Sequence, residues 1–405
     1  MTSSPNRSIK LDQPIKVGVA GLGMAGAGIV AQLSNVSGVE LAAAADMREN
    51  ALGTFQQQYG GRTYESFDSL CEDPDIDAVW VATPSHLHCE HVVKLAEHGK
   101  HIVVEKPMAI SLEECEKMVE AAEKHSVTLI AGGARSFDPV FVEMSRIIRS
   151  GRLGKLGALA TWAFTGWMTR AREPHELDLQ KDGGCIFNQG PHPVDVLRLL
   201  GGGVVRSVRG SVVDLNLPGR PGPGYFSAFL EFDDGTPATL LYDGYGYVQG
   251  WELVPWGETP QRAAASDSSN AYRRQLRSGT ADEISARELL RFGGRPDGGS
   301  PFGRGDGNWS PMDAGLVIAT CELGVIRQSA KGLYIYDDDG RHDEAIALSA
   351  SARENEVADL KRGMAGSKPV HDGRWGMASM EVVLAIAESA KTHKEVTLSH
   401  QVPLR

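Results

Sequence analysis

One short run constrains this chain more than any other. The β-branched stretch 17–20 leads straight into GLGMAG, which places Gly21, Gly23 and Gly26 in the spacing G-x-G-x-x-G ahead of a helical pattern. A glycine triplet that follows a strand and opens a helix marks a dinucleotide-binding turn. Gly21 allows the tight bend, Gly23 lets backbone approach a pyrophosphate, and Gly26 lets helix and strand pack closely. The helix start offers N–H groups to an anion, so Leu22, Met24 and Ala25 join the candidate cofactor residues.

The surroundings agree with that turn. Short apolar runs at 15–20, 39–46, 78–82, 101–104 and 128–131 alternate with helical patterns opening near Ala25, Asn50, His86 and Ser111. Such alternation predicts a parallel sheet covered by helices. Ser111 and Glu114 form the S-x-x-E of a capping box. Past Gly132 the grammar changes: 156–164, 204–214, 225–232 and 236–247 read as longer strands without obligatory helices between them, hence a largely antiparallel sheet. A stretch rich in Gly, Ser, Ala and Arg follows over 251–308, with one helix expected around 282–292 and the run GGRPDGGSPFGRGDG at its end. It predicts an irregular insertion. An amphipathic helix closes the chain at 378–391.

The expected fold class is therefore α/β, with an N-terminal Rossmann doubly wound parallel sheet and a C-terminal α+β domain built on a large, mainly antiparallel open sheet. In residues, that is a flexible tail over 1–14, an NAD(P)-binding domain over 15–135, a substrate and oligomerisation domain over 136–378, and a helix and tail over 379–405 packing back on the body. Two domains suit 405 residues. A net charge of −11 opposes nonspecific attraction to nucleic acid or an anionic membrane, which leaves a small molecule as the expected ligand. Five scattered cysteines without CxxC pairing fit a reducing cytoplasm. The polar start MTSSPNRSIKLDQP lacks a signal-peptide core, and no long apolar run follows.

Asp46 ends the second expected strand about twenty residues past Gly26, where a carboxylate accepts hydrogen bonds from the adenosine ribose hydroxyls. That favours NAD. Arg48 can instead meet a 2′-phosphate, so NADP stays open. Thr83, Pro84, His86 and His88 follow the strand at 78–82, at the carboxyl edge where open α/β sheets bind ligands, and border the expected nicotinamide ribose. The spacing of His86, His88 and His91 does not put all three on one helix face, so no metal is expected.

Glu105, Lys106 and Pro107 end another apolar strand, and Glu105 and Lys106 join the candidate cofactor residues. A lysine in a partly dry pocket beside a nicotinamide cation has its charged form disfavoured, which makes Lys106 a candidate proton carrier. In GGCIFNQGPHPVDVLRLLGG, Asn188, His192 and Asp195 stand four and three apart and share a face if a helix begins near Asn188. His192 is the natural acid or base, Asn188 can bind a hydroxyl, and Asp195 either orients His192 or holds the helix.

Together GLGMAG, Asp46, VATPSHLH, EKP and GG-x(7)-H-x-x-D resemble the Gfo/Idh/MocA oxidoreductases over most of the chain. The resemblance implies hydride transfer with NAD(P), a homo-oligomer (dimer or tetramer) built through the open sheet, Lys106 and His192 as catalytic pair, and a cis peptide at Lys106–Pro107. Many relatives carry an aspartate where this chain has Asn188, and an amide cannot exchange a proton. The runs ARSFDPVF, TGWMTRAREPHELD, RLLGGGVVRSVRG, PVHDGRWGMASMEVVLAI and HQVPLR resemble the subgroup of phthalate 4,5-cis-dihydrodiol or 4,5-dihydroxyphthalate dehydrogenases. The implied substrate is a carboxylated cyclic diol, with Arg135, Trp167, Arg170 and Arg172 as candidate anchors beside Asn188 and His192. Sugar, inositol or glycoside oxidation is the enzymatic alternative, and a non-catalytic dinucleotide sensor the other.

Overall fold

The computed structural model describes residues 13–181, 183–294, 308–346 and 351–405. Most of the expected tail 1–14 and most of the run GGRPDGGSPFGRGDG lie outside them. The chain divides into two compact units, one of residues 1–133, 284–303 and 353–377, the other of 134–283, 304–352 and 378–405.

The first unit alternates strand and helix: β1 (Ile15–Ala20), α1 (Met24–Leu33), β2 (Val39–Ala45), α2 (Glu49–Tyr59), β3 (Arg62–Tyr64), α3 (Phe67–Glu72), β4 (Ala78–Val81), α4 (His88–Glu97), β5 (His101–Val104), α5 (Leu112–Lys124) and β6 (Leu129–Ala131). Its six strands pair in the order β3-β2-β1-β4-β5-β6, all parallel. Val17, Val19, Val79, Trp80, Val81, Val103 and Val104 are fully buried, as strands covered on both sides require. Ser111 caps α5 by accepting from Glu114 N at 3.3 Å, whereas the Glu114 carboxylate meets Ile110 N at 3.4 Å, so the capping box closes one residue early.

The second unit contains α6 (Pro139–Arg149), β7 (Leu156–Phe164), α7 (Gly184–Gln189), α8 (Pro191–Leu200), β8 (Val205–Val213), β9 (Tyr225–Phe232), β10 (Pro237–Asp243), α9 (Pro260–Ser278), α10 (Glu283–Glu288), β11 (Leu316–Cys321), β12 (Gly324–Gln328), β13 (Gly332–Asp337) and β14 (Gly340–Ala345); α10 passes into the first unit after Glu283. The chain ends with α11 (Ala352–Met364), α12 (Gly373–Thr392) and β15 (Val396–Thr397). Nine strands pair as β14-β13-β12-β11-β7-β10-β9-β8-β15, antiparallel except for β7 with β10. On this sheet Trp162 and Phe229 are each 46% exposed, which leaves an apolar face open.

Three expectations need correction. The insertion expected to be irregular holds the 19-residue helix α9, with Thr259 as N-cap, Pro260 in the first turn and Gly279 in the left-handed region at its end. Its polar sequence buries only Arg273 and Leu276, so no apolar stripe announced it. Asn188 and His192 do not share one helix: Asn188 lies in α7, which ends at Gln189, and His192 in α8, which starts at Pro191, whose ring and missing N–H favour a first-turn position. Finally, residues 353–377, expected in the second domain, belong to the first unit.

Glu381 folds the tail back onto α12 by accepting from Ser399 N, His400 N and Gln401 Nε2, and Arg198 of α8 ties this segment to the second unit by donating to Ser379 Oγ and Gln401 Oε1. No described helix is long and apolar enough to cross a membrane.

Candidate active site

In the first unit the candidate residues gather at the carboxyl ends of β1, β2, β4 and β5, the edge at which an open parallel sheet binds its ligands. Gly21 has φ +89, and a Cβ there would stand 2.7 Å from Ala82 O, so only glycine lets the β1–α1 turn lie against the end of β4. A Cβ on Gly26 would fall 2.0 Å from Gly21 O. Gly23 differs: a Cβ there would meet nothing within 4 Å. The turn therefore needs Gly26 to close and keeps Gly23 bare over open space. The first intrahelical bond of α1 runs from Ala27 N to Gly23 O, and no side chain caps the helix, so the N–H groups of Met24, Ala25 and Gly26 precede the helical ladder. This cradle fits a pyrophosphate.

Leu22, expected among the cofactor contacts, is fully buried and donates its N–H to Asp46 Oδ2 at 2.7 Å. It braces the site from behind. Asp46 Oδ1 accepts from Arg48 N at 2.9 Å and Arg48 Nε at 3.1 Å, and Arg48 also donates to Leu22 O at 2.7 Å. The arginine is thus tied to the carboxylate and the glycine turn. Phe292 joins them, donating its N–H to Leu22 O at 3.4 Å, and its ring lies 6.4 Å from that of Tyr59.

His88 is a second correction. It is 1% exposed, with Nε2 at 2.8 Å from Thr83 O and Nδ1 at 3.0 Å from Pro107 O. Both ring nitrogens thus face backbone carbonyls of two different loops, which leaves neither for a cofactor. Burial pulls its pKa down. Thr83 Oγ1 meets His91 Nδ1 at 2.9 Å, while Pro84 precedes a short 3₁₀ turn, Ser85–Leu87, that carries His86. Glu105 is buried and Lys106 half-buried, and the Lys106–Pro107 peptide is cis.

The second unit holds a separate cluster. Asn188, in the last turn of α7, accepts from Trp167 Nε1 at 3.0 Å and Gln189 Nε2 at 2.6 Å. Gln189 in turn accepts from Tyr242 OH at 3.0 Å, and that hydroxyl meets Thr165 Oγ1 at 2.6 Å. This chain fixes the orientation of the Asn188 amide. His192, in the first turn of α8, is 5% exposed. Asp195 accepts from Ser136 N at 3.1 Å and so anchors the loop that carries Arg135.

The four expected anchors separate. Arg172 is 1% exposed, pairs with Glu176 at 2.9 Å, donates to Trp167 O and stacks 3.8 Å over the Trp167 ring. Trp167 is itself 2% exposed. Both act as internal braces, because their side chains are almost wholly buried against each other, Glu176 and Asn188. Arg170 is exposed, and its backbone carbonyl accepts from Arg220 at 2.8 Å. Arg135 donates to Asp313 Oδ2 at 2.9 Å.

Asp313 was not expected from sequence. Burial works against its charge, yet the neighbouring Arg135, His192 and Arg170 hold its carboxyl well below the usual range. Its segment, SPMDAG, carries no motif, and its place depends on pairing with distant β7, where Thr161 Oγ1 donates to Ala314 O at 2.5 Å. Among the described residues no group of His, Cys, Asp and Glu has the arrangement of a metal site, and all five cysteines are free thiols.

Comparison with known proteins places these observations. The pattern of the Gfo/Idh/MocA oxidoreductase family, NAD-binding Rossmann fold, matches residues 15–132, and that of the Gfo/Idh/MocA C-terminal domain matches 141–248. The chain is 28% identical to 1-carboxy-3-chloro-3,4-dihydroxycyclohexa-1,5-diene dehydrogenase of Comamonas testosteroni, over 93% of this chain and 95% of that one. It is 33% identical to inositol 2-dehydrogenase 2 of Saccharopolyspora erythraea, over 59% of this chain and 70% of that one. A crystal structure from Bordetella bronchiseptica RB50, assigned to the dehydrogenases, superposes with a TM-score of 0.85 at 32% identity, covering 95% of this chain and 100% of its own.

Proposed function

Because the chain belongs to the Gfo/Idh/MocA family and is an NAD-binding oxidoreductase, we propose that it oxidises a cis-dihydrodiol of a phthalate-type aromatic carboxylic acid to the catechol. The observation that carries this reading is similarity over 93% of the chain to an enzyme named for a carboxylated dihydroxycyclohexadiene. The exposed guanidinium of Arg170, near the charged Asp313, supports it as a carboxylate anchor.

NAD, when bound, supplies the hydride acceptor. The N–H groups of Met24, Ala25 and Gly26 would hold its pyrophosphate and Asp46 its adenosine ribose, with Thr83, Pro84 and His86 bordering the nicotinamide end. Arg48, already paired with Asp46, favours NAD over NADP, whose 2′-phosphate would need a free cation there. Lys106 and His192 are the proposed proton-handling groups: one takes the hydroxyl proton as hydride leaves the same carbon. The ketone formed tautomerises to the aromatic ring, so orientation and deprotonation are the main tasks left to the protein. Asn188, an amide, holds a hydroxyl without exchanging its proton. We further infer that the face bearing Trp162 and Phe229 packs against a second copy, because large exposed apolar side chains on a sheet face mark an association surface.

Oxidation of an inositol hydroxyl is the second reading, favoured by the Saccharopolyspora relative. Formation of NADH, followed by absorbance with a phthalate dihydrodiol and with inositols, separates the two. Turnover of the dihydrodiol alone is expected; turnover of inositols alone overturns the proposal, and cofactor binding without reduction on any diol points to a sensor.

A further inference from the structure

We propose that Glu356 is a positioning residue for Lys106, acting through the Gly132–Gly133 turn; the inference rests on Lys106 handling a proton. All of these residues lie in the first unit. After β6 the chain turns through Gly132, whose N–H bonds Val104 O at 2.8 Å, and Gly133, whose N–H bonds Glu356 Oε1 at 2.9 Å. One N–H thus ties the turn to the end of β5, immediately before Glu105 and Lys106, and the other ties it to α11. Glu356 is 2% exposed and is paired through its second oxygen with Arg353, which lies 5.7 Å over the Trp80 ring.

The turn has no spare room. A Cβ on Gly132 would stand 2.8 Å from Glu356 Oε1 and 2.5 Å from Val103 Cγ1. A Cβ on Gly133, at φ +66, would stand 2.3 Å from Glu105 Oε2 and 3.2 Å from Lys106 Cγ. The Lys106 stem and the Glu105 carboxylate therefore rest on the bare α-carbon of Gly133, and Glu356 holds that α-carbon in place. Moving the turn moves the surface that aims the amine. Burial pushes the Glu356 carboxyl up, Arg353 opposes this, and Glu105 adds to it. An internal carboxylate kept at that cost needs a task beyond filling space.

Two conservative variants separate this task from simple ion pairing. Glu356→Asp keeps the charge toward Arg353 but withdraws the oxygen from Gly133; Glu356→Gln keeps an oxygen for Gly133 and gives up the charge. Steady-state kinetics over pH, with thermal melting and NAD affinity as controls, are compared with Gly133→Ala and Lys106→Ala. Glu356→Asp and Gly133→Ala are expected to lower kcat roughly tenfold or more and displace its pH profile, with NAD affinity unchanged, because small misplacements of reacting groups are costly. Glu356→Gln is expected to stay within about threefold of the unmodified protein. A benign Glu356→Asp beside a damaged Glu356→Gln, with Lys106→Ala inactive, overturns the positioning role and leaves Lys106 in place. An active Lys106→Ala overturns the functional reading itself.

Discussion

The Arg135 guanidinium donates to the Asp313 carboxylate at 2.9 Å, joining a residue just past the first unit's sheet to one more than a hundred positions further along the chain. Asp313 stays charged although buried because Arg135, His192 and Arg170 surround it. Removing that charge leaves the guanidinium groups of Arg135 and Arg170 without the carboxylate that compensates them. Asp313→Asn is expected to lower kcat/KM by roughly 10- to 100-fold with NAD affinity unchanged, at about 1.4 kcal/mol per decade. Steady-state kinetics beside a cofactor titration check this, and an unaltered kcat/KM removes Asp313 from the site.

The glycine turn predicts two opposite phenotypes from one kind of substitution. Gly23→Ala adds a methyl group where the protein has open space, so melting should stay unchanged while NAD affinity falls about tenfold or more. Gly26→Ala drives a methyl group to within 2.0 Å of Gly21 O, so the fold itself should lose stability. Calorimetric melting and NAD titration on both variants give the comparison; equal melting temperatures contradict it.

The neighbouring arginines should diverge in the same way. Arg170→Gln is expected to raise KM for a carboxylated diol by about tenfold without changing the melting temperature. Arg172→Met leaves Glu176 buried without its partner, and breaking such a pair costs about 3 kcal/mol or more. Denaturant unfolding beside kinetics reads both effects, and a stable Arg172→Met would contradict the bracing role.

Acid should loosen the first unit before it affects most carboxylates. His101 Nδ1 accepts from Thr128 N at 3.0 Å, and burial pulls its pKa to about 4. Burial, then His88, brings His91 to about 4 as well. The unfolded chain takes up these protons below about pH 6.5, while the folded chain waits until about pH 4. Stability therefore falls as pH drops through that window, by at most about 1.4 kcal/mol per pH unit for each histidine, and is independent of both above it. His101→Asn keeps an acceptor for Thr128 N without titrating, so its stability should vary with pH by about one proton less. Urea unfolding at a series of pH values measures the slope; identical slopes exclude His101.

Much of the first unit was legible because its signals are local. Apolar runs, the glycine spacing and the Ser111 cap each act within a few residues, and β1, β5 and α5 lie where those signals put them. The turn at Gly21, Gly23 and Gly26 needed no distant information to be recognised, although its limits, such as Leu22 facing inward to Asp46, did.

The second unit was less legible. Sequence could not distinguish Arg170 from Arg172, two residues apart and chemically identical; Glu176, Trp167 and the fold around them decide which one is buried. Strands β11 to β14 and helix α9 carried weaker periodicity, and Asp313 carried none at all. Sequence alone thus determined the nucleotide turn, the strand-helix alternation and the chemical repertoire of lysine, histidine and arginine. Tertiary structure alone decided which of those charges are spent on the protein itself, because desolvation and pairing of a long polar side chain depend on partners that only folding brings within a few ångströms.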